Sequence, residues 1–254
     1  MYERRLLAYI DILGWREIIR KSAIENALFE EMKTVAARFT YELDATRHLR
    51  DWHANLLKEH PGKIGPMEFL DVTHFSDTVV MSCPSQGRLG GSSLIQAVQI
   101  TAMTMLDAGY YTRGAVVEGQ LFHNGSTIFG PALIEAYDLE RGVAKYPRIL
   151  VTEQALPFVN PPVHTPDGIE YFRQVRLDRD GLHYVDILGA FCADTSTPRF
   201  RKGNEEKAIA ACKGLRDRDA ADLGLRAKHE WMIDYLESVW RESVDFPAVE
   251  HPVA

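Results

Sequence analysis

Arg5-Leu6-Leu7-Ala8-Tyr9-Ile10-Asp11-Ile12-Leu13-Gly14-Trp15 is an apolar run holding a single carboxylate and closed by a glycine. Residues 5–12 read as a buried strand, and Gly14 breaks it so that a helix can begin. A carboxylate inside such a strand is expensive unless something compensates it. Asp11 is therefore the residue to explain.

Working outward, residues 24–56 carry helical periodicity in Ala27, Leu28, Met32, Val35, Phe39 and Leu43, and Pro61, Gly62, Gly65 and Pro66 end that region. Residues 67–74 read as a strand. A tight turn at Phe75-Ser76-Asp77 leads into another, Thr78 to Ser82. After a loop from Pro84 to Gly91, Ser92–Ala108 reads as a helix and 110–118 as a fourth strand. The order β-α-β-β-α-β is the split, ferredoxin-like motif, so the fold class is α+β with an antiparallel-type central sheet.

Beyond the motif come a glycine loop at His123-Asn124-Gly125, with His123 expected exposed, a helix near 131–143 and a short strand at 148–151. Strands near 169–176 and 183–188 pair across Arg179-Asp180-Gly181. A helical end spans about 204–242, and a frayed tail follows from Phe246. Near the end, Trp231, Tyr235 and Val239, with Met232, Leu236 and Trp240 beside them, make an amphipathic stripe that covers its own core. The expectation is one domain over 1–254, with a core at about 5–190 and a helical C-terminal extension at about 200–242.

Composition bounds the function. The chain has 254 residues, 46% of them hydrophobic, enough for one sizeable core. A net charge of -7 argues against nucleic acid as the primary partner, where a basic footprint is needed. Cys83, Cys192 and Cys212 are scattered, with neither disulfide nor zinc spacing. No signal peptide and no long apolar run appears, so the expected location is the cytoplasm, without a membrane partner.

Asp11 at a strand end and Asp77 in the turn between strands two and three can meet at one edge of a ferredoxin-like sheet. Two carboxylates that close repel each other, and a hard divalent cation resolves the repulsion. Magnesium takes one or two carboxylates plus phosphate oxygens. Two metals can activate a hydroxyl and neutralise a triphosphate. Gly14 lets a backbone approach closely, and the helix it opens offers free N–H groups to phosphate. Taken singly, each aspartate has an ordinary reading as a helix cap or a turn residue.

At these residues the sequence resembles the class III nucleotidyl cyclases. The resemblance lies in Asp11-Ile12-Leu13-Gly14-Trp15, in Phe75-Ser76-Asp77-Thr78, in Arg113-Gly114-Ala115-Val116-Val117-Glu118-Gly119, and in Phe129-Gly130-Pro131 through Glu140, with Tyr146-Pro147-Arg148-Ile149 after it. It covers roughly 5–152 and is most similar to the bacterial Pycsar pyrimidine cyclases of anti-phage defence. It implies two Mg²⁺ or Mn²⁺ ions per site held by Asp11, Asp77 and the Ile12 carbonyl. It also implies phosphate on the amides around Leu13, Gly14 and Trp15, and a homodimer with sites at the interface. The activity implied is UTP to cyclic UMP and pyrophosphate, with a separate effector answering the cyclic nucleotide. Alternatives are a cytidylate or purine cyclase, or a cyclase-fold sensor that binds nucleotide without turnover.

The sequence departs from the class III pattern in two places. The asparagine and arginine that such cyclases carry on the helix after the glycine turn align with Ile134 and Asp138, which cannot stabilise a pentacovalent phosphate. Arg113, Arg141, Lys145 and Arg148 are the candidates for the charge-stabilising cation that is still needed, with Arg148 ranked first as catalytic because Pro147 fixes its approach. The adenine-reading positions fall by spacing on Thr73 and Thr127, which with Ser76 complete the expected substrate contacts. The lack of an adenine-reading pair favours a pyrimidine.

Overall fold

The computed structural model describes residues 1–39, 41–60, 63, 68–86, 90–159, 174–188 and 204–245. Its centre is β1 (Glu3–Ile12), buried on both faces as the unbroken apolar run requires. Leu6, Ala8, Ile10 and Ile12 enter one core, and Leu7 enters a second. Helices α1 (Trp15–Ser22), α2 (Asn26–Phe39) and α3 (Tyr41–Glu59) lead to the hairpin β2 (Asp71–Phe75) and β3 (Thr78–Pro84). Then α4 (Gly90–Asp107) crosses to β4 (Thr112–Asn124), and β5 (Thr127–Phe129) pairs back on it. Helix α5 (Pro131–Gly142), β6 (Ile149–Val151), α6 (Leu156–Val159), β7 (Val175–Leu177) and β8 (His183–Val185) follow. The C-terminal helices are α7 (Asn204–Arg218) and α8 (Leu223–Asp245).

Among the described residues the sheet has eight strands in the order β2-β3-β1-β4-β6-β8-β7, with β5 attached to β4. Strand β1 lies between β3 and β4, antiparallel to both, and β2 lies outside β3. That is the ferredoxin-like arrangement expected from the element order. Among the described residues the one parallel pairing is β4 with β6.

The two faces are covered differently. On one, Leu94, Val98 and Met105 of α4 pack with Met32 and Val35 of α2 and with Met232, Tyr235, Leu236 and Val239 of α8. The C-terminal stripe does cover the core. On the other face α5 presents Ala132 and Ala136 to Leu7, Val117 and Leu121. Such small side chains let the helix lie close to the sheet: a Cβ on Gly119 would come within 3.3 Å of the Ala132 Cβ. At i+8 from Ala132, Glu140 continues the same buried side of α5.

The residues expected to be helical over 24–56 fall largely in α2 and α3, as the periodicity implies. Other expectations are corrected. The glycine loop at 123–125 is the turn of the β4–β5 hairpin, and His123 is buried. Most of the strand expected at 169–176, and the tail from 246, lie outside the described residues; the end of that strand is β7.

Candidate active site

Asp11 is the penultimate residue of β1. It sits opposite Thr78 of β3 and Arg113 of β4. Its side chain lies on the α5 side of the sheet, since Leu7 two pairs earlier packs there. Asp77 is the second central residue of the two-residue turn joining β2 to β3. Ser76 takes the first position at φ 56°, a left-handed conformation that suits such hairpin turns. The Ile12 amide donates to the Asp77 carbonyl at 3.1 Å, which pins the turn to the end of β1 and brings the two carboxylates together.

Two further charges enter. Arg113 places Nε 3.6 Å from Asp11 Oδ2 and 2.5 Å from Glu140 Oε1. Next to Arg113, Gly114 lets β1 and β4 close up, because a Cβ there would sit 1.9 Å from the Tyr9 carbonyl oxygen. The result is three carboxyl groups around one guanidinium at a mostly buried sheet edge. Burial pushes the Asp11 carboxyl up to about 7, and the Asp77 and Glu140 charges add to that while Arg113 opposes it. Glu140 is raised as well, again chiefly by burial. Burial also holds the neighbouring His74 below the usual histidine value. A proton on Asp11 does in part what a cation would do, so the arrangement fits a divalent ion. Among the described residues no group of three or more His, Cys, Asp or Glu side chains is arranged to hold a metal unaided. Two aspartates plus substrate oxygens is the donor set magnesium accepts.

Beyond the carboxylates, Gly14 adopts φ 81° as the N-cap of α1, and no side chain caps that helix. The amides of Gly14 and Trp15 carry no hydrogen bond among the described residues, so they are open to an anion. The Trp15 ring is buried and anchors the helix start. The Leu13 amide is not open: it donates to the Tyr111 carbonyl at 2.9 Å, which removes it from the phosphate-binding set.

Arg148 does not join the carboxylates. Its side chain is 1% exposed. Its Nη1 pairs with Asp178 and its Nη2 lies 2.5 Å from Asp180 Oδ2. Trp231 Nε1 donates to Asp178 at 2.8 Å, so the cluster ties β6 to the β7–β8 turn and to α8. The proline before Arg148 fixed an approach to a structural site.

Thr73 is corrected too. Arg5 Nε donates to Ser82 Oγ at 3.0 Å, Ser82 Oγ meets His123 Nδ1 at 2.8 Å, His123 Nε2 meets Thr73 Oγ1 at 2.9 Å, and Thr73 donates to the Gly125 carbonyl at 2.8 Å. One proton order satisfies the whole ladder: the serine donates to Nδ1, and a neutral histidine donates from Nε2. Burial pushes the His123 pKa down to about 4, with Arg5 and Arg50 adding to that and Asp71 opposing it. The ladder holds the curled end of β4 over β2 and β3, and the Thr73 hydroxyl is spent there. Thr127 is exposed on the same hairpin, opposite Asn124. Ile134 and Asp138 are exposed on α5.

Glu140 escaped the sequence reading. Its signal was the spacing Ala132, Ala136, Glu140, which carries a helix's buried side onto a carboxylate.

No family model and no curated protein matches the chain. Solved structures similar to it include the adenylyl cyclase CyaB from P. aeruginosa, at 12% identity and TM-score 0.45, covering 73% of this chain and 94% of that one. A bacterial light-regulated adenylyl cyclase is 13% identical at TM-score 0.44, covering 75% and 94%. The catalytic core of a rhodopsin-guanylyl cyclase with converted specificity, in complex with ATPalphaS, is 13% identical at TM-score 0.41, covering 72% and 96%. At these values the chemistry has to be argued from the residues.

Proposed function

We propose that the chain is a metal-dependent nucleotide cyclase that converts UTP to cyclic UMP and pyrophosphate. The observation that carries the reading is the meeting of Asp11 and Asp77 at one sheet edge beside the uncapped start of α1. In the reaction the ribose 3′-oxygen attacks the α-phosphorus. A new O–P bond forms, the α–β anhydride bond breaks, pyrophosphate leaves and one proton is released. Asp11 and Asp77, with the Ile12 carbonyl, would hold two Mg²⁺ or Mn²⁺ ions. Those ions supply charge neutralisation and acidify the hydroxyl. The Gly14 and Trp15 amides orient the phosphates. Ser76 and Thr127 remain the candidate base contacts.

The pyrimidine preference rests on the lack of an adenine-reading pair and on the sequence's likeness to the Pycsar cyclases. That likeness also motivates the cytoplasmic setting, the role in anti-phage defence, the separate effector and the homodimer with sites between chains. One domain over 1–254, its C-terminal helices an extension, suits this reading. No helix among the described residues is long and apolar enough to cross a membrane.

A second reading, a sensor that binds nucleotide without turnover, is favoured by the sealed position of Arg148 and by Ile134 and Asp138 on α5. One experiment separates them. Purified protein is incubated with ATP, GTP, CTP or UTP plus Mn²⁺, and products are read by mass spectrometry. Cyclic UMP, reduced on the order of a thousandfold in a folded Asp77→Ala variant, is the expected result. Binding of a triphosphate with no cyclic product from any of the four selects the sensor. Full activity in Asp77→Ala sinks the cyclase reading.

A further inference from the structure

Helix α5 leaves apolar surface in water beside the carboxylate site. Its Ala132, Ala136 and Glu140 are buried, while Ile134 is 64% exposed and Tyr137 41% exposed. Three residues apart, the two are neighbours on the helix surface. Single exposed apolar residues are ordinary, but a large adjacent pair next to a charged site asks for an occupant.

Tyr137 is exposed and yet held. Arg141, one turn further along α5, donates from Nη1 to the Tyr137 hydroxyl at 3.1 Å. The Tyr9 ring stands across it at 80°, with the centroids 6.1 Å apart. Tyr9 also ties the ring to the carboxylates. It comes two residues before Asp11 on β1 and packs on the α5 side of the sheet. The Tyr9 hydroxyl lies 3.4 Å from Oγ1 of Thr78, the residue that pairs with Asp11 across the strands and follows Asp77 in the chain. A ring fixed at its hydroxyl and by a perpendicular neighbour has little rotamer freedom left to lose when a ligand lands on it. Every nucleobase has a π-face that such a ring can meet, so stacking supplies affinity and leaves the choice of base to groups that reach its edge.

We propose that Tyr137 stacks on the nucleobase of the bound triphosphate, with Ile134 extending the apolar shelf and Arg141 acting as the positioning residue that fixes the ring. The inference rests on the nucleotide-binding part of the cyclase reading and not on turnover. It gives the base a platform on α5, separate from the metal-binding aspartates and from the amides at the start of α1.

The test is calorimetric titration of the full chain with α,β-methylene-UTP and, separately, with tripolyphosphate, each with Mg²⁺. The proteins are the parent, Tyr137→Ala, Tyr137→Phe, Arg141→Met and the Tyr137→Ala/Arg141→Met pair. Thermal melts check that each is folded, sedimentation follows the oligomeric state, and Tyr137→Leu stands in should Tyr137→Ala not fold. Tyr137→Ala is expected to weaken the nucleotide about tenfold or more while leaving tripolyphosphate within about twofold of the parent. Tyr137→Phe keeps the ring and should stay within about threefold of the parent. Arg141→Met should weaken the nucleotide about threefold and add nothing in the Tyr137→Ala background, because a positioning residue then has nothing to position. A loss in Arg141→Met that appears equally with tripolyphosphate makes the arginine a phosphate contact and removes its positioning role. Nucleotide affinity within about twofold of the parent in folded Tyr137→Ala overturns the assignment. Equal losses of both ligands, or a changed oligomeric state, make the ring a structural or inter-chain contact and overturn it too. A parent that binds the analogue but makes no cyclic product from UTP fails the cyclase reading alone, and the two titrations still decide Tyr137.

Discussion

Two arginines, one sealed and one partly exposed, lie close together in this fold and live in opposite electrostatic settings. Arg148 has its two Nη groups on Asp178 and Asp180, and Asp178 takes a further N–H from Trp231. Arg113 meets Asp11 and Glu140, and the Asp77 charge acts on the same Asp11. The titration of the partners follows. Hydrogen bonding to Arg148 holds Asp180 below the usual carboxylate range. Asp11 is driven up to about 7, because burial and the nearby Asp77 and Glu140 outweigh the one cation. A cluster in which the guanidinium and Trp231 hydrogen-bond the carboxylates directly is a strut. A cluster whose carboxyl groups are pushed towards the neutral form is placed to take a cation. The sequence ranked the two arginines the other way round, because a proline before Arg148 looks like preparation and nothing in the local sequence says where Asp178 and Asp180 will be.

The largest difference between the two should appear on removing the closed arginine. Arg148→Met strands Asp178 and Asp180 near a buried interface and should cost about 3 kcal/mol of stability, by the rule for breaking one side of a buried pair. Urea titrations would measure it. The specific activity of the folded fraction should stay near the parent value. A folded Arg148→Met protein that has lost turnover would restore the catalytic role and dissolve the contrast.

The open cluster should respond with the opposite sign. The folded pKa of Asp11 is raised above its unfolded value. Its contribution is therefore fully favourable below about pH 4 and is lost as pH rises through about 7. Asp11→Asn removes a charge the fold resists, so at pH 8 it should raise the melting temperature by a few degrees, and at pH 4 it should give no such gain. Mn²⁺ at saturating concentration should produce a comparable rise in the parent at pH 8 and little in Asp11→Asn. A melting temperature that falls at pH 8 on Asp11→Asn would mean that the carboxylate is already satisfied, and the cluster closed.

How much of this was legible depends on whether the signal was local. The βαββαβ order could be read because each element carries its own period and punctuation, and Asp11 stood out because an apolar strand has no use for a charge. Asp77 could be read from the turn it occupies. The roles of Thr73, His123 and Arg148 were not, because each is decided by partners distant in sequence: Gly125, Ser82 and Asp178. The curl of β4 that brings His123 over β2 has no signature in residues 112–124, where the apolar run suggests only a strand. Glu140 falls between these cases. Its place on the buried side of α5 follows from counting fours from Ala132, but the guanidinium it meets is on another element.

The smallest expected effect belongs to the second closed assembly, the ladder from Arg5 to Gly125, and it sets the base-reading expectation against the structural one. Thr73→Val keeps the volume and removes one hydroxyl that both accepts from His123 and donates to the Gly125 carbonyl. The half-buried setting lets water replace part of what is lost, so the cost should be about 1 kcal/mol, that of one ordinary hydrogen bond. The change should also leave the nucleotide preference untouched, since the hydroxyl faces the hairpin and its donor is already used. Competition assays with an equimolar mixture of the four triphosphates would read the preference, and urea titration the stability. A shift in preference with no loss of stability would put Thr73 back at the base and make the ladder an incidental contact. A loss of stability with the same product ratio keeps all the closed assemblies structural and leaves discrimination to residues such as Ser76 and Thr127, whose side chains have not been spent on the fold.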